Sequence, residues 1–163
     1  MAYEQCPDRV IIAPADGKVV EIVHDEHAQL EEGFAYRVSI FLSPLDVHVQ
    51  RTPIAGTIKK TEYRRGAFMV AYAPKSSNLN ERNDIIIMSA DGFTIKVRQI
   101  AGIVARRILC WVKAGEQVSA GVPFGMIRFG SRVDVFLPPS IDLAVKKGDR
   151  VVGGLTVLGR RRR

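Results

Sequence analysis

One residue pair, Gly130 and Ser131, could carry out chemistry on its own backbone, between the apolar segments 124–129 and 132–137. Because glycine has no side chain, a serine hydroxyl can approach the preceding carbonyl carbon in a strained turn. If a base takes its proton, such a serine can attack its own preceding peptide bond. The alternative is that the two residues form a β-hairpin or a bulge. Without further information, this structural interpretation is favoured.

A candidate base is His48, which lies in a polar interruption between two predicted strands, where a side chain can face a cleft. Taken by itself, however, a single histidine in such a place is more often structural, and this alternative is favoured for His48. The other histidines, His24 and His27, lie in an acidic stretch. Their spacing is not that of the H-E-x-x-H motif and no third ligand is evident, so we expect a solvated loop and no metal site.

The two cysteines, Cys6 and Cys110, share no metal-ligand spacing. Cys110 lies in the apolar run 108–112, where a small buried thiol is expected. Two such cysteines are compatible with a reducing cytoplasm.

The formal net charge of +7 over 163 residues is not a nucleic-acid signal. Four positive charges form the run 160–163, and the remaining basic pairs are scattered and accompany no nucleic-acid-binding motif. Attraction to anionic lipid explains them at least as well. Arg64 and Arg65, followed by Phe68 and Met69, could make a peripheral membrane contact, although core positions for the two apolar side chains are slightly favoured.

The composition, 47% hydrophobic and 25% charged, is typical of a globular chain and excludes disorder as a description of the whole. No apolar stretch approaches the roughly 18 residues of a membrane span, and the first residues lack the features of a signal peptide. We therefore expect neither a transmembrane segment nor a secretion signal.

Short, β-branched apolar segments separated by glycine and proline predict a mostly-β fold with little helix. The predicted strands are 18–23, 36–42, 56–63, 68–72, 84–89, 93–99, 104–112, 124–129 and 132–137. Residues 43–49 predict one short helical turn, since Ser43 can cap it and Pro44 suits its first position.

Two internal repeats sharpen the fold prediction. The motif V-K-x-G-[ED]-x-V-x-x-G occurs at residues 112–121 and again at 145–154, and residues 14–19 resemble 53–58. This pattern resembles the barrel-sandwich folds of biotinyl and lipoyl carriers, so we expect one domain of that type. A carrier module would need an acceptor lysine, and no Met-Lys-Met or Asp-Lys-Ala site is present. A non-enzymatic lipid-surface protein is the other alternative.

Five blocks, in order, resemble the phosphatidylserine decarboxylase family, and more specifically its short, soluble-type branch. The blocks are APADGKV at 13–19, FLSPLDVHVQRTP at 41–53, NERN at 80–83, AGIVARRI at 101–108 and FGSRVDV at 129–135. The resemblance implies a self-processing decarboxylase that converts phosphatidylserine to phosphatidylethanolamine and CO2 through a Schiff base. The cofactor would be a pyruvoyl group derived from Ser131, with no metal and no dissociable cofactor.

The resemblance also assigns residue roles. Cleavage between Gly130 and Ser131 would give a large chain, 1–130, and a small chain, 131–163, which stay associated. Asp16 matches the aspartate of the Asp-Gly block, and His48 matches the first histidine of the family's Asp-x-His-x-x-His block. Arg51 stands where longer members have the second histidine, which leaves open which group activates the serine.

His48 could then serve both self-cleavage and decarboxylation, with Asp16 or Asp46 orienting it. Arg132, Arg106 or Arg107 could bind the lipid phosphate, with solvated strand-edge charges as the alternative for each.

The resemblance also implies where the protein acts. The family's amino-terminal anchor and the arginine-rich segment before the Asp-Gly block are missing, so residues 1–163 are expected to be a minimal catalytic domain. We expect it to be cytoplasmic and peripheral on the inner face of the cell membrane, without a nucleic-acid partner; a homo-oligomer is compatible with the sequence.

Overall fold

The structure, a computed structural model, describes residues 9–27, 30–31, 33–43, 48–66, 79–102, 107–127 and 130–162. Apart from helical assignments at the single residues Arg9 and Leu79, the regular elements within these ranges are strands. In chain order, β1 to β14 are Val10–Ile12, Gly17–His24, Tyr36–Leu42, Val49–Arg51, Gly56–Arg64, Arg82–Met88, Thr94–Ile100, Ile108–Cys110, Gln117–Val118, Pro123–Ile127, Ser131–Leu137, Ile141–Leu143, Arg150–Val151 and Val157–Arg161. No helix with the length and hydropathy of a membrane span occurs in the described part of the chain.

The strands form one large and two small antiparallel sheets. The eight-stranded sheet has the order β13-β2-β3-β11-β7-β6-β5-β9. The three-stranded sheets have the orders β1-β14-β12 and β4-β10-β8. The predicted mostly-β fold of barrel-sandwich type is confirmed.

The core lies on one face of the large sheet, because side chains alternate between the two faces of a strand. On β11, Val133, Val135 and Leu137 belong to the core, and Arg132 and Asp134 alternate with them. The small sheets cover this core, since β10 and β14 supply further core side chains. The candidate active site lies in the space between the large sheet and the sheet β4-β10-β8.

An internal twofold repeat relates the two halves of the architecture. The strand order of the large sheet is the same from either end once β13 is matched with β9, β2 with β5, β3 with β6 and β11 with β7. The small sheets match likewise, β1-β14-β12 with β4-β10-β8. The chain therefore builds nearly the same unit twice.

The two copies of the motif V-K-x-G-[ED]-x-V-x-x-G form the two edges of the large sheet. Gly115 and Gly148 occupy the same place in each copy, with φ angles of 95° and 98°. Their N–H groups donate to the carbonyls of Ile58 and Val19, at N···O distances of 2.7 and 2.8 Å. The repeat detected in the sequence is thus a docking element used once in each half.

The predicted strands agree best where the apolar segments are long. Residues 36–42 form β3 with the predicted bounds, and the long strands β2, β5, β6, β7 and β11 differ from their predicted bounds by at most two residues at either end. The strands β1, β4, β9, β12, β13 and β14 were not predicted, and all but the five-residue β14 have only two or three residues, too few to carry a periodic signal. The predicted strand 68–72 and the interior of the predicted turn at 43–49 lie outside the described residues.

Candidate active site

Ser131 begins β11 and is fully buried, with a side chain 0% exposed. Gly130 before it has a φ of 76°, a left-handed conformation that favours glycine, and its N–H donates to the Leu42 carbonyl at 2.7 Å. The Ser131 Oγ has no hydrogen-bond partner among the described residues. A buried hydroxyl left unbonded costs about 1–3 kcal/mol, so its retention calls for a functional reason.

Ser131 faces the inside of the molecule. It lies opposite Leu42 in the pairing of β11 with β3, and Leu42 belongs to the core. Cross-strand partners point to the same face of an antiparallel sheet. The hydroxyl therefore points toward the side of the large sheet on which the sheet β4-β10-β8 packs.

His48 directly precedes β4, and its ring nitrogen Nε2 is buried. Its carbonyl accepts a hydrogen bond from the N–H of Ile127 at 3.3 Å, at the end of β10. Gly130 follows Ile127 by three residues, which span at most about 11 Å of extended chain. The structure thus places His48 at the same end of the inter-sheet space as the Gly130-Ser131 peptide.

Asp16 lies at the same end of the large sheet but two strands away. Lys18 in β2, Phe41 in β3 and Arg132 in β11 form one row across the sheet, which puts the β2 and β11 backbones about 10 Å apart. The Asp16 Oδ1 accepts a hydrogen bond from the N–H of Gly153 at 2.8 Å. Its carboxylate therefore holds the turn after β13; its predicted role toward His48 stays a prediction.

Arg51 lies at the end of β4 that is remote from His48. Its Nη1 donates to the Gly121 carbonyl at 2.8 Å, and its N–H donates to the Pro14 carbonyl at 2.7 Å. Arg51 therefore ties β4 to two turns of the structure. Asp46, the other residue expected to support His48, lies outside the described residues.

Arg132 is fully buried on the face of the large sheet opposite Ser131. Its Nε donates to Asp134 Oδ1 at 2.7 Å, and its Nη2 lies 3.6 Å from Glu21 Oε2. A role toward a lipid phosphate would require these contacts to break. Of the other two candidates, Arg107 is exposed and Arg106 lies outside the described residues.

The same outer face carries a cluster of buried ion pairs. Arg98 bonds both carboxylate oxygens of Glu31 at 2.9 Å and also pairs with Asp84, and Lys96 bonds Glu31 at 2.9 Å. Burial by itself would raise the pKa of Glu31, but the hydrogen bonds from Arg98 and Lys96 outweigh it and hold that pKa below its usual value. These contacts fix Glu31 onto the outer face of the sheet.

The remaining candidate groups do not assemble into a site. His24 stacks on Tyr36 with ring centroids 4.2 Å apart, and His27 is exposed. Over the described residues, no group of three metal-ligating side chains comes together. Cys110 is a partly buried free thiol, and Cys6 lies outside the described ranges.

Three buried amides that the sequence does not single out link the large sheet to His48. The Asn83 Nδ2 donates to Gln99 Oε1 and the Gln99 Nε2 donates to Gln50 Oε1, each at 3.0 Å. The Gln50 Nε2 donates to the carbonyl of His48 at 2.6 Å. The only signal was a polar residue at an inward-facing position of three strands, which needs the register to be known.

Comparisons with known proteins agree with this geometry. Residues 4–159 match the family model described as phosphatidylserine decarboxylase. A relative from Salinibacter ruber, named phosphatidylserine decarboxylase proenzyme, is 49% identical over 150 residues, which is 92% of this chain and 66% of the relative. Relatives of the same name from Burkholderia vietnamiensis and Syntrophus aciditrophicus are 47% and 43% identical, over 91% and 93% of this chain and 69% and 71% of their own lengths.

The chain therefore belongs to the phosphatidylserine decarboxylase family, and it spans about two thirds of the length of these relatives. The predicted family and enzyme class, phosphatidylserine decarboxylase, are confirmed. The matches give no support to a carrier module or to a lipid-surface protein without activity.

Proposed function

We propose that this chain cuts itself between Gly130 and Ser131 and decarboxylates phosphatidylserine with a pyruvoyl group made from Ser131. The observation that carries the proposal is the buried, unbonded Ser131 Oγ directly after the left-handed Gly130. A serine held for structure alone would gain from a hydrogen bond. Here the hydroxyl has no partner in the described part of the chain, and it lies directly after the carbonyl that it would attack.

Self-processing needs two proton transfers. Ser131 Oγ bonds to the Gly130 carbonyl carbon and the peptide C–N bond breaks, which leaves an ester and a free amine on residue 131. A base then removes the Cα proton of residue 131, the Cβ–O bond breaks, and Gly130 leaves with its carboxylate. The remaining dehydroalanine takes up one water and releases ammonia to become the ketone.

His48 is the group that we assign to these transfers, because it lies at the same end of the inter-sheet space as Ser131 and its Nε2 is buried. A positioned imidazole is suited to move protons near neutral pH. The unbonded position of Ser131 and its burial fit the pyruvoyl group, which supplies an electron sink for loss of CO2 from a bound amine. During turnover His48 would return a proton to the substrate carbon.

The substrate also suggests where the protein acts. Because phosphatidylserine is a membrane lipid, we infer that the protein works peripherally on an anionic membrane, on its cytoplasmic side. The exposed side chains of Arg64 and Arg65 support this, since basic groups at a protein surface attract anionic lipid. Phe68 and Met69 lie outside the described residues.

Intact-mass spectrometry of the purified protein tests the processing. Wild type should give chains 1–130 and 131–163, the small chain being blocked to Edman degradation and modified by hydroxylamine. Ser131→Ala should stay one chain and release no CO2 from phosphatidylserine vesicles. Ser39→Ala is the matched control, because the Ser39 hydroxyl is also buried and unbonded but does not follow a glycine. A small chain that begins with free serine would refute the pyruvoyl group.

A further inference from the structure

The hydrogen-bonded amides of Asn83, Gln99 and Gln50, which end on the His48 carbonyl, have a fixed donor-to-acceptor direction. Gln99 uses both N–H groups, one toward Gln50 Oε1 and one toward the Leu109 carbonyl, each at 3.0 Å, while its oxygen accepts from Asn83. A reversed Gln99 amide would place its oxygen against two other oxygens. Gln99 therefore fixes the orientation of Gln50, whose Nε2 then points at the His48 carbonyl.

Gln99 also contacts the small sheet across all three strands. A Cβ at Gly125 would lie 2.6 Å from Gln99 Nε2, so the Gln99 amide rests directly on the backbone of β10. Gln50 lies in β4 and Leu109 in β8, the strands on either side of β10. One side chain of the large sheet thus holds the strand after His48 and the strand that leads to Gly130.

The internal twofold repeat shows that the fold itself does not need these amides. In the half with His48, Gln50 lies opposite Gly125 and Gln99 lies opposite Asn83. In the other half, Ile11 lies opposite Gly159 and Leu137 lies opposite Tyr36. The same strands therefore pack with Ile11 and Leu137, both fully buried, where Gln50 and Gln99 stand.

We propose that Gln99, acting through Gln50, is a positioning residue that holds His48 in register with the Gly130-Ser131 bond for self-processing. This inference rests on the proposed function, in which His48 moves the protons. Buried amides are costly unless every group is bonded, and Gln99 is bonded on both its nitrogen and its oxygen. The half of the molecule without His48 uses apolar side chains instead, Ile11 in β1 and Leu137 in β11.

The test replaces Gln99 and Gln50 with the apolar residues that occupy the related positions in the other half of the molecule. Gln99→Leu, Gln50→Ile and the double variant should fold with melting temperatures at or near that of wild type, because the related positions already hold these residues. Self-cleavage should slow by about 10²-fold, the size of effect expected from a small misplacement of a reacting group. Ile87→Val, a core change on the neighbouring strand β6, is the control and should process normally.

A second measurement reports on His48 itself. In uncleaved Ser131→Ala protein, the His48 ring resonances and their pH midpoint should shift on adding Gln50→Ile. The rings of His24 and His27 serve as internal references and should not move. A purely structural role for the amides would leave the His48 ring unchanged.

The outcomes separate the two proposals. If His48→Ala stops self-cleavage while the amide variants cleave at the wild-type rate with an unshifted His48 ring, the positioning role is wrong and the proposed function stands. If His48→Ala cleaves normally, the proton-transfer role proposed for His48 is wrong, whatever the amides do. Slow cleavage in the amide variants, with a shifted ring and an unchanged melting temperature, supports both.

Discussion

Ser131 and Phe93 occupy related positions in the two halves of the molecule. Each follows a glycine with a left-handed backbone, Gly130 with a φ of 76° and Gly92 with a φ of 90°. Each of these glycine N–H groups donates to a carbonyl at the end of a neighbouring strand, at 2.7 and 3.0 Å. The turn is thus part of the repeated architecture, and the serine is what distinguishes the site.

Gly130→Ala should slow self-cleavage, because an alanine resists the left-handed conformation that presents the Gly130 carbonyl to Ser131. The strain should also cost about 1–2 kcal/mol of stability. Gly92→Ala is the matched control: it meets the same backbone strain, and neither position has another atom within 4 Å of the added Cβ. Denaturant unfolding and a time course of cleavage on gels measure both effects. Equal cleavage rates in the two variants would contradict the prediction.

His48→Ala should block both self-cleavage and decarboxylation, because the resemblance implies that Arg51 stands where longer family members have a second histidine, so that one imidazole would serve both steps. The expected loss is about 10²- to 10⁴-fold in each step. Gel analysis gives the first rate, and single-turnover CO2 release from whatever protein has cleaved gives the second. His24→Ala, which removes a ring stacked on Tyr36, should leave both rates unchanged. Normal cleavage with slow turnover would assign the first step to Asp16 or Asp46.

Reversal of charge at Arg64 and Arg65 should weaken sedimentation with anionic vesicles, and added salt should weaken wild-type binding, because the attraction is electrostatic. The matched control is Lys113→Glu, which changes an exposed basic residue in the first copy of the repeated motif. Vesicles of neutral lipid should bind none of the proteins strongly. Salt-insensitive binding would remove the electrostatic part of the proposal.

Glu31→Gln should destabilise the fold near neutral pH by about 1.5–3 kcal/mol, the range for hydrogen bonds to charged groups. The pKa of Glu31 is lowered in the folded state, so its contribution is complete above its ordinary value of 4.5 and is lost as the pH falls through the folded-state value. The difference between wild type and variant should therefore shrink in acid.

Urea unfolding at pH 7 and at pH 3 measures this difference. Asp142→Asn, which removes the exposed partner of Arg162, should change little at either pH. A Glu31→Gln defect of the same size at both pH values would contradict the linkage.

The sequence predicts the large sheet better than the site within it. Residues 36–42 alternate clearly and form β3 as expected, and the repeated glycine motifs identify the two sheet edges. Arg132 shows the limit: a strand-edge arginine is normally solvated, yet here β11 lies between β3 and β7 and Arg132 is fully buried beside Asp134 of the same strand.

The functional residues divide in the same way. Ser131 and His48 can be noticed because glycine-serine and histidine are chemically distinctive, but taken alone they favour structural roles, and only the resemblance to the family assigns them to a site. Gln50 and Gln99 are not, since a glutamine in a strand carries no signal until its partners across two sheets are known.

The position of β11 would have a further consequence for a protein cut between Gly130 and Ser131 as proposed. This strand lies between β3 and β7 in the middle of the large sheet, while β13 pairs with β2 and β14 pairs with β1. Every strand of the small chain except β12 is therefore hydrogen-bonded to the large chain, and the two could separate only by dismantling the sheet. Folding of the intact chain is unimolecular, but refolding after cleavage requires two molecules to meet. After cleavage, the enzyme would stay folded because it unfolds slowly. Its refolding yield after unfolding would fall on dilution.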